Sequence, residues 1–275
     1  DGHGPDGHWV AARAAQALPF FLQQEECAAD LRGGRVADAL KTAFRRAEQD
    51  LEFHGRQERI RLFISGCTAT CALRRPGSKA LWVAFAGDSR AALLASGRGA
   101  AVVVQETRDH HPSVSSELKR CLDMGCELQV YEHDNGDVEQ RLFVKGKGYP
   151  GLLMTRTLGD LSVKGCGITN MPEVVEWTAE EGVFLLIASD GLWELIPTAE
   201  IAQELFSSLA NGMSRQSAVE KLVLRAKEIW MREVDGYCDD ITALLVPLSQ
   251  DLAPLSSSLT GVCGAGVCKD TCTVS

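Results

Sequence analysis

The hydrophobic and polar positions of this chain change their period several times along its length. Near the start, Val10, Ala14 and Ala17 recur at helical spacing, and the same spacing returns with Val36 and Leu40. Helical spacing predicts helices over residues 7–22, 36–53, 113–124, 198–209 and 214–232. Apolar runs and alternations predict strands over residues 62–73, 80–85, 91–95, 101–105, 127–132, 138–145, 173–177, 183–188 and 241–248.

The segments between these elements predict how they are joined. Residues 87–89, Gly-Asp-Ser, predict a tight hairpin between their flanking strands, and residues 133–137 predict a second hairpin. Thr198 and Ser214 are the predicted N-caps of the last two helices. The glycine-rich stretch 146–172 is predicted to be a long irregular surface segment, a type of segment that is often functional.

The order of the elements predicts the fold class. Two helices, a run of strands, a helical pair and a final strand do not form the regular alternation of a parallel α/β sheet. The order is typical of an α+β protein in which antiparallel sheets pack together with helices outside. The sequence contains no internal repeat that would change this interpretation.

Composition narrows the class of protein. The 275 residues are 45% hydrophobic and 24% charged, with a net charge of −9, which is typical of a soluble globular protein. The acidic balance argues against a nucleic-acid or anionic-membrane partner, and no apolar run reaches the length of a membrane span. The ten cysteines form no Cys-x-x-Cys pair, so we expect reduced thiols in the cytoplasm or nucleus.

Four aspartates occupy related positions in the pattern. Asp1, Asp88 and Asp190 stand in short turns, the last two directly after apolar runs, and Asp239 stands just before the final apolar run. A single Asp-Gly turn is usually only a turn, because aspartate and glycine tolerate its backbone. Several acids at the ends of buried strands, however, repel one another unless a cation lies between them. The pattern therefore predicts a site for a hard divalent cation, which prefers oxygen ligands.

Six short motifs follow one another along the chain. They are Asp1-Gly2-His3-Gly4, Ser65-Gly66-Cys67-Thr68-Ala69, Gly87-Asp88-Ser89-Arg90, Arg156-Thr157-Leu158-Gly159-Asp160, Ser189-Asp190-Gly191-Leu192-Trp193 and Asp239-Asp240-Ile241-Thr242. In this order and spacing they resemble the metal-dependent Ser/Thr protein phosphatase family, type 2C, and its plant-like branch in particular. Each motif alone is weak, whereas six in order are specific.

The resemblance implies a fold and a metal centre. The family's fold is an antiparallel β-sandwich flanked by helical pairs, in four αββα layers. Its centre holds two Mg²⁺ or Mn²⁺ ions and a weaker third ion. By resemblance, Asp1 ligates through its carboxylate and Gly2 through its carbonyl, Asp190 and Asp239 supply further carboxylates, and Asp88 helps to hold the third ion.

The resemblance also implies the reaction. A hydroxide that bridges the metals would hydrolyse phosphoserine and phosphothreonine in protein substrates, with no serine or cysteine nucleophile. His3 matches the family's proposed general acid, and its ordinary pKa of about 6.5 suits that role. Thr68 and Asp160 match motif positions and are assigned only supporting roles. We expect a monomer that acts on phosphorylated proteins.

The resemblance covers residues 1–248 as a phosphatase domain and leaves 249–275 as a disordered tail that contains serine and cysteine. The family carries an adjacent Glu-Asp pair on a strand before the position of Asp1, and this sequence does not include that pair. Two interpretations follow. The chain is an N-terminally truncated enzyme, or it is a catalytically impaired phosphatase-like domain that acts as a protein-binding or regulatory module.

Several other residues have simpler predicted roles. His110 and His111 could bind metal but are assigned to a solvated loop, and Arg90 could contact phosphate but is assigned to a salt bridge with a neighbouring acid. Trp193 is predicted to pack in the core beneath its turn, and His8 to lie at a helix N-terminus. The tail cysteines could bind metal or carry lipid, but no histidine completes a zinc site with them.

Overall fold

The computed structural model describes residues 1–133, 136, 138–234 and 236–248. Its helices are α1 (Gly7–Gln23), α2 (Glu25–Arg32), α3 (Val36–Glu58), α4 (Ser115–Asp123), α5 (Asp190–Trp193), α6 (Thr198–Ala210) and α7 (Arg215–Glu233). Its strands are β1 (Gly2–His3), β2 (Gly66–Cys67), β3 (Ala69–Arg74), β4 (Ala80–Ala86), β5 (Arg90–Ser96), β6 (Ala101–Glu106), β7 (Cys126–Glu132), β8 (Val138–Val144), β9 (Pro150–Leu152), β10 (Leu158–Gly159), β11 (Glu173–Thr178), β12 (Val183–Ala188) and β13 (Ala243–Pro247).

Two antiparallel sheets form the centre of the molecule. One has the strand order β11-β4-β3 and the other the order β13-β12-β5-β6. Side chains alternate across β4, so Leu81 and Phe85 meet Leu93 and Leu185 of the second sheet in a shared buried core. The side chain of Ala84 lies on the opposite face of β4 and packs against the helices. The predicted antiparallel sandwich is confirmed.

Helices cover both outer faces of the sandwich. Phe44 and Leu40 of α3 are fully buried with α1, α2 and the outer face of the first sheet. Leu205 of α6 and Leu222 of α7 cover the outer face of the second sheet in the same way. Each helix buries one apolar stripe and leaves its charged face to solvent, which is the pattern that predicted the helices. The αββα layering that the resemblance implies is therefore present.

Two small sheets lie beside the sandwich. The sheet β7-β8-β9 packs with α4 around its own core, which includes Leu142, Met154 and Ile168. The sheet β1-β2-β10 places β1 and β10 on either side of the two-residue strand β2. This second sheet brings the start of the chain beside residues more than a hundred positions away, and it positions part of the site described below.

Some predicted connections differ from the structure. The turn 87–89 is not a hairpin, because β4 and β5 belong to different sheets and the chain crosses between the sheets there. Apolar runs that are buried on both faces do not reveal which strand pairs with which, so the prediction was wrong. The predicted strand 62–73 is divided into β2 and β3, and α2 was not predicted.

The helix caps gave a mixed result. Ser214 accepts a hydrogen bond from the backbone N–H of Ser217 and caps α7, as predicted. Thr198 does not cap α6, because its hydroxyl donates to Glu106 and accepts from Arg90. The predicted hairpin of β7 and β8 is confirmed by their pairing, although turn residues 134, 135 and 137 lie outside the described residues.

The predicted tail, 249–275, also lies outside the part of the chain that the structure describes. Within the described residues, no helix combines the length and apolar character needed to cross a membrane.

Candidate metal centre

The ends of two paired strands bring Asp190 and Asp239 to one edge of the second sheet. Ala188 at the end of β12 pairs with Ala243 at the start of β13, so the segments beyond them leave the sheet together. Ser189 fastens these segments, because its hydroxyl donates to the carbonyl of Asp240 at 2.9 Å and accepts from the N–H of Thr242 at 3.0 Å. Antiparallel pairing thus converts two distant motifs into neighbours.

Three carboxylates converge at this edge. Ligand oxygens of Asp190, Glu194 and Asp239 all lie within 4.8 Å of one another. Glu194 was not predicted as a site residue. Its spacing of four from Asp190 was the available signal, because side chains at i and i+4 lie on the same face of a helix.

Asp88 is a further acid near this group. It lies in the turn between β4 and β5, where the chain crosses from one sheet to the other. Its side chain is buried, at 2% exposure of the residue, and its Oδ1 has no hydrogen-bond partner among the described residues. Its Oδ2 lies 3.2 Å from Nε2 of His111. Gly87 permits this crossing, because its φ of 112° favours glycine and a β-carbon there would overlap the side chain of Thr68. The acid is therefore held in place with one oxygen unused.

The electrostatics of the group show uncompensated negative charge. Burial, together with the charges of Asp88, Asp239 and Glu194, raises the pKa of Asp190 to about 7. Burial and neighbouring carboxylates also raise the pKa values of Glu194 and Asp239. Like charges in a desolvated site resist ionisation unless a cation joins them. A set of carboxylate oxygens with one buried unpaired oxygen fits Mg²⁺ or Mn²⁺.

The first motif lies beside this group. The backbone N–H of Thr68 donates to the carbonyl of Asp1 at 2.9 Å, and Gly2 pairs with Cys67 across β1 and β2. The amino group of Asp1 lies close enough to Asp190 to oppose the rise of its pKa. A β-carbon at Gly2 would overlap the backbone carbonyl of Gly7, so glycine lets β1 lie against the start of α1. The structure thus places the backbone of the first motif near Asp190, and the role of the Asp1 carboxylate stays a prediction.

His3 is held by an acid that the sequence ranked only as supporting. Its Nε2 lies 2.6 Å from Oδ2 of Asp160, which is fully buried and has a left-handed φ of 48°. Gly66 makes room for that carboxylate, because a β-carbon there would overlap it. Glu48 accepts a hydrogen bond at 2.8 Å from the N–H of Gly159 and so fastens the turn that carries Asp160.

The prediction of a solvated loop was wrong for the first of the two adjacent histidines. His110 is 2% exposed, stacks on Phe85 with ring centroids 4.8 Å apart, and accepts from the N–H of Gly87. Burial lowers the pKa of His110 to about 4. His111 contacts Asp88 instead of solvent alone. The loop after β6 folds back under the crossing between the sheets, which no local pattern revealed.

Two smaller predictions are confirmed. Arg90 forms an ion pair with Asp109 at 2.8 Å, and Trp193 is buried with its indole N–H donating to the carbonyl of Ala188. Residue His8 lies in the first turn of α1, as expected.

The antiparallel αββα sandwich thus carries a group of carboxylates at the edge of its sheets. A family model described as "Protein phosphatase 2C" matches residues 1–233. The chain belongs to the protein phosphatase 2C family and is therefore a protein serine/threonine phosphatase by class.

Plant proteins are among the relatives, in agreement with the predicted plant-like branch. "Probable protein phosphatase 2C 73" of Arabidopsis thaliana is 32% identical over 260 residues, which cover 87% of this chain and 67% of the relative. "Probable protein phosphatase 2C 64" of Oryza sativa subsp. japonica is 34% identical over 236 residues, which cover 84% of this chain and 52% of the relative. The chain thus spans between half and about two thirds of these relatives.

Solved structures resemble the fold. A serine-threonine phosphatase 2C from Toxoplasma gondii superimposes with a TM-score of 0.61 at 18% identity, over 86% of this chain and 76% of that one. A sex determining protein of C. elegans gives a TM-score of 0.68 at 23% identity, over 90% of this chain and 55% of that one. At these identities the likeness concerns the fold alone.

Proposed function

We propose that this chain hydrolyses phosphoserine and phosphothreonine in protein substrates and that the reaction depends on two Mg²⁺ or Mn²⁺ ions, with a weaker third ion. Family membership supports the class of reaction. The observation that carries the metal dependence is the convergence of Asp190, Glu194 and Asp239 within 4.8 Å, with raised pKa values and no Lys or Arg ion pair among the described residues.

The residues divide into those that would hold cations and those that would act on the leaving group. Asp190, Asp239 and Asp88 would supply carboxylate oxygens, and the resemblance adds the Asp1 carboxylate and the Gly2 carbonyl. When bound, the cations would activate a water for attack on phosphorus and neutralise charge on the phosphoryl oxygens. The carboxylates themselves fix where this chemistry can occur, because they are anchored at strand ends.

His3 would protonate the serine or threonine oxygen as it leaves. Asp160 accepts from Nε2 of His3 and so orients the ring. Nδ1 of His3 is buried and has no hydrogen-bond partner among the described residues. Glu48 supports this arrangement through the turn 159–160. The comparisons lend no support to the alternative of a non-catalytic regulatory module.

The experiment is hydrolysis of a phosphothreonine peptide by the full chain with added Mn²⁺ or Mg²⁺, followed by release of phosphate. Chelation should abolish turnover. Asp190→Asn should reduce it about a thousandfold, since a bound cation contributes several kcal/mol to the transition state. Asp123→Asn, a matched change at an exposed aspartate of α4 that forms an ion pair with Lys119, should leave turnover unchanged.

Two outcomes would contradict the proposal. One is full turnover in the presence of chelator, and the other is an Asp190→Asn variant as active as Asp123→Asn. Circular dichroism of both variants would establish that each is folded before rates are compared.

A further inference from the structure

One side chain at the carboxylate group has no assigned role in the reaction. His111 lies in the loop between β6 and α4, and its Nε2 is 3.2 Å from Oδ2 of Asp88. The side chain is 40% exposed, whereas that of Asp88 is 3% exposed. A solvent-accessible imidazole therefore covers one oxygen of a buried carboxylate and leaves the other oxygen unpaired.

The separation of the two atoms fits shared coordination. Adjacent ligands of an octahedral ion at about 2.1 Å lie about 3.0 Å apart, and those of a tetrahedral ion at about 2.0 Å lie about 3.3 Å apart. The observed 3.2 Å is between these values. It is also an ordinary hydrogen-bond distance, so an experiment must separate the two arrangements.

The surroundings of His111 favour a cation. Asp88 contacts the imidazole, and Asp109, Asp190 and Glu194 are close enough for their charges to interact with it. Asp109 is already paired with Arg90, whereas Asp88 and Asp190 have no such partner among the described residues. An ion placed between His111 and Asp88 would therefore meet further carboxylate charge.

We propose that His111 is a nitrogen ligand of the cation that Asp88 helps to hold, and that this position therefore prefers Mn²⁺, Co²⁺ or Zn²⁺ to Mg²⁺. The inference rests on the proposed metal centre and adds a ligand and a selectivity to it. Imidazole suits these transition metals, whereas Mg²⁺ keeps oxygen ligands.

The first test detects the nitrogen directly. Pulsed electron paramagnetic resonance of the full chain saturated with Mn²⁺ should show nitrogen hyperfine coupling. His111→Gln should abolish the coupling. His3→Gln should retain it, which excludes His3 as the source, and His8→Gln serves as a matched control at an exposed histidine of α1. Absence of nitrogen coupling in the unaltered chain, or coupling that survives His111→Gln, would overturn the assignment.

The second test measures selectivity by calorimetry on metal-free chain. His111→Gln should weaken binding of Zn²⁺ at the affected site about tenfold, as loss of a tuned ligand does. Binding of Mg²⁺ should change less than about twofold, because Mg²⁺ does not use the imidazole. A uniform gain in affinity for both ions would instead identify His111 as a protonated side chain that competes with cations for Asp88, and would overturn the proposal.

The two tests separate this inference from the proposed function. If Mn²⁺ binds without nitrogen coupling while the phosphopeptide is hydrolysed, only the role of His111 fails. If no divalent cation binds at all, the proposed metal dependence fails with it.

Discussion

Two regions of the molecule hold carboxylates with shifted pKa values, and they compensate the negative charge in different ways. Glu117 on α4 lies between two arginines, with Arg156 at 2.6 Å and Arg120 at 2.7 Å, and accepts from the hydroxyl of Thr155 at 2.6 Å. Burial opposes its charge, but the hydrogen bonds from Arg156 and Arg120 outweigh burial and hold the pKa of Glu117 well below its ordinary value.

The carboxylates of Asp190, Glu194 and Asp239 have no lysine or arginine ion pair among the described residues, and the pKa of each is raised. Arginines of the chain itself compensate the charge of Glu117, whereas the proposed cations would compensate the charges of Asp190, Glu194 and Asp239. The comparison distinguishes an acid with a structural role from acids that are proposed to bind a cation. It also explains why the fold tolerates both.

The same chemical change in the two regions should therefore have different effects. Glu117→Gln removes the carboxylate that Arg120 and Arg156 share, and we expect the free energy of unfolding to fall by about 3 kcal/mol. Urea denaturation in the absence of metal measures it. A variant as stable as the unaltered chain would show that Glu117 is not the acid on which this region depends.

Cation binding should act on the other region only. At a concentration one hundred times its dissociation constant, a divalent cation should add about 2.7 kcal/mol to the free energy of unfolding. Thermal unfolding with and without Mn²⁺ measures the gain. Asp190→Asn should lose most of it, while Glu117→Gln should keep it from a lower baseline. Equal gains in the two variants would show that cation binding does not depend on Asp190 more than on Glu117.

Metal-free stability should also depend on pH through Asp190. Its folded pKa, about 7, exceeds its ordinary value of 3.8, so the folded state binds the proton more tightly. Stability from this group is complete below about pH 4 and is lost as pH rises through about 7. Asp190→Asn should remove the loss and make the metal-free variant more stable than the unaltered chain by about 2 kcal/mol at pH 8.

The contribution of buried His110 to the free energy of unfolding depends on pH in the opposite direction. Its folded pKa of about 4 lies below its ordinary 6.5, so its contribution is lost as pH falls through that window. The contribution is present in both proteins and cancels in their difference. Asp123→Asn, at an exposed aspartate, is the matched control. A pH profile of Asp190→Asn parallel to that of the unaltered chain would contradict the expected role of Asp190.

The smallest effect expected is at a site remote from both regions. Ser214→Ala removes the side-chain acceptor that caps α7, and should lower the free energy of unfolding by about 1 kcal/mol. Urea denaturation measures the change, and calorimetry with Mn²⁺ should show unaltered affinity. A change in affinity would mean that general stability, and not the carboxylate group, sets the binding measured above.

Much of the fold was accessible from the sequence. The helical period marked α1 and α3, and apolar runs marked β4, β5 and β12, because burial of one face or two leaves a local pattern. The predicted site acids Asp88, Asp190 and Asp239 were accessible for a related reason. Each stands at the end of a buried run, where a polar residue needs an explanation.

Other parts of the site could not be predicted in this way. Glu194 is one acid among many in sequence, and only the short helix α5 turns it toward Asp190. The sequence assigns His110 to a solvated loop, but this loop folds back against the sheets and the His110 ring stacks on Phe85. The pairing of His3 with Asp160 joins positions 157 residues apart, and no periodicity reports such a contact.

The sequence by itself determined the kinds of elements, the acids that end the buried strands and the family to which the motifs point. Only the tertiary structure decided that β4 and β5 enter different sheets, that Glu117 meets two arginines, and that Asp190 and its neighbours meet none among the described residues. The physical reason is that element type follows from local burial, whereas strand pairing and charge compensation depend on packing between segments that are distant along the chain.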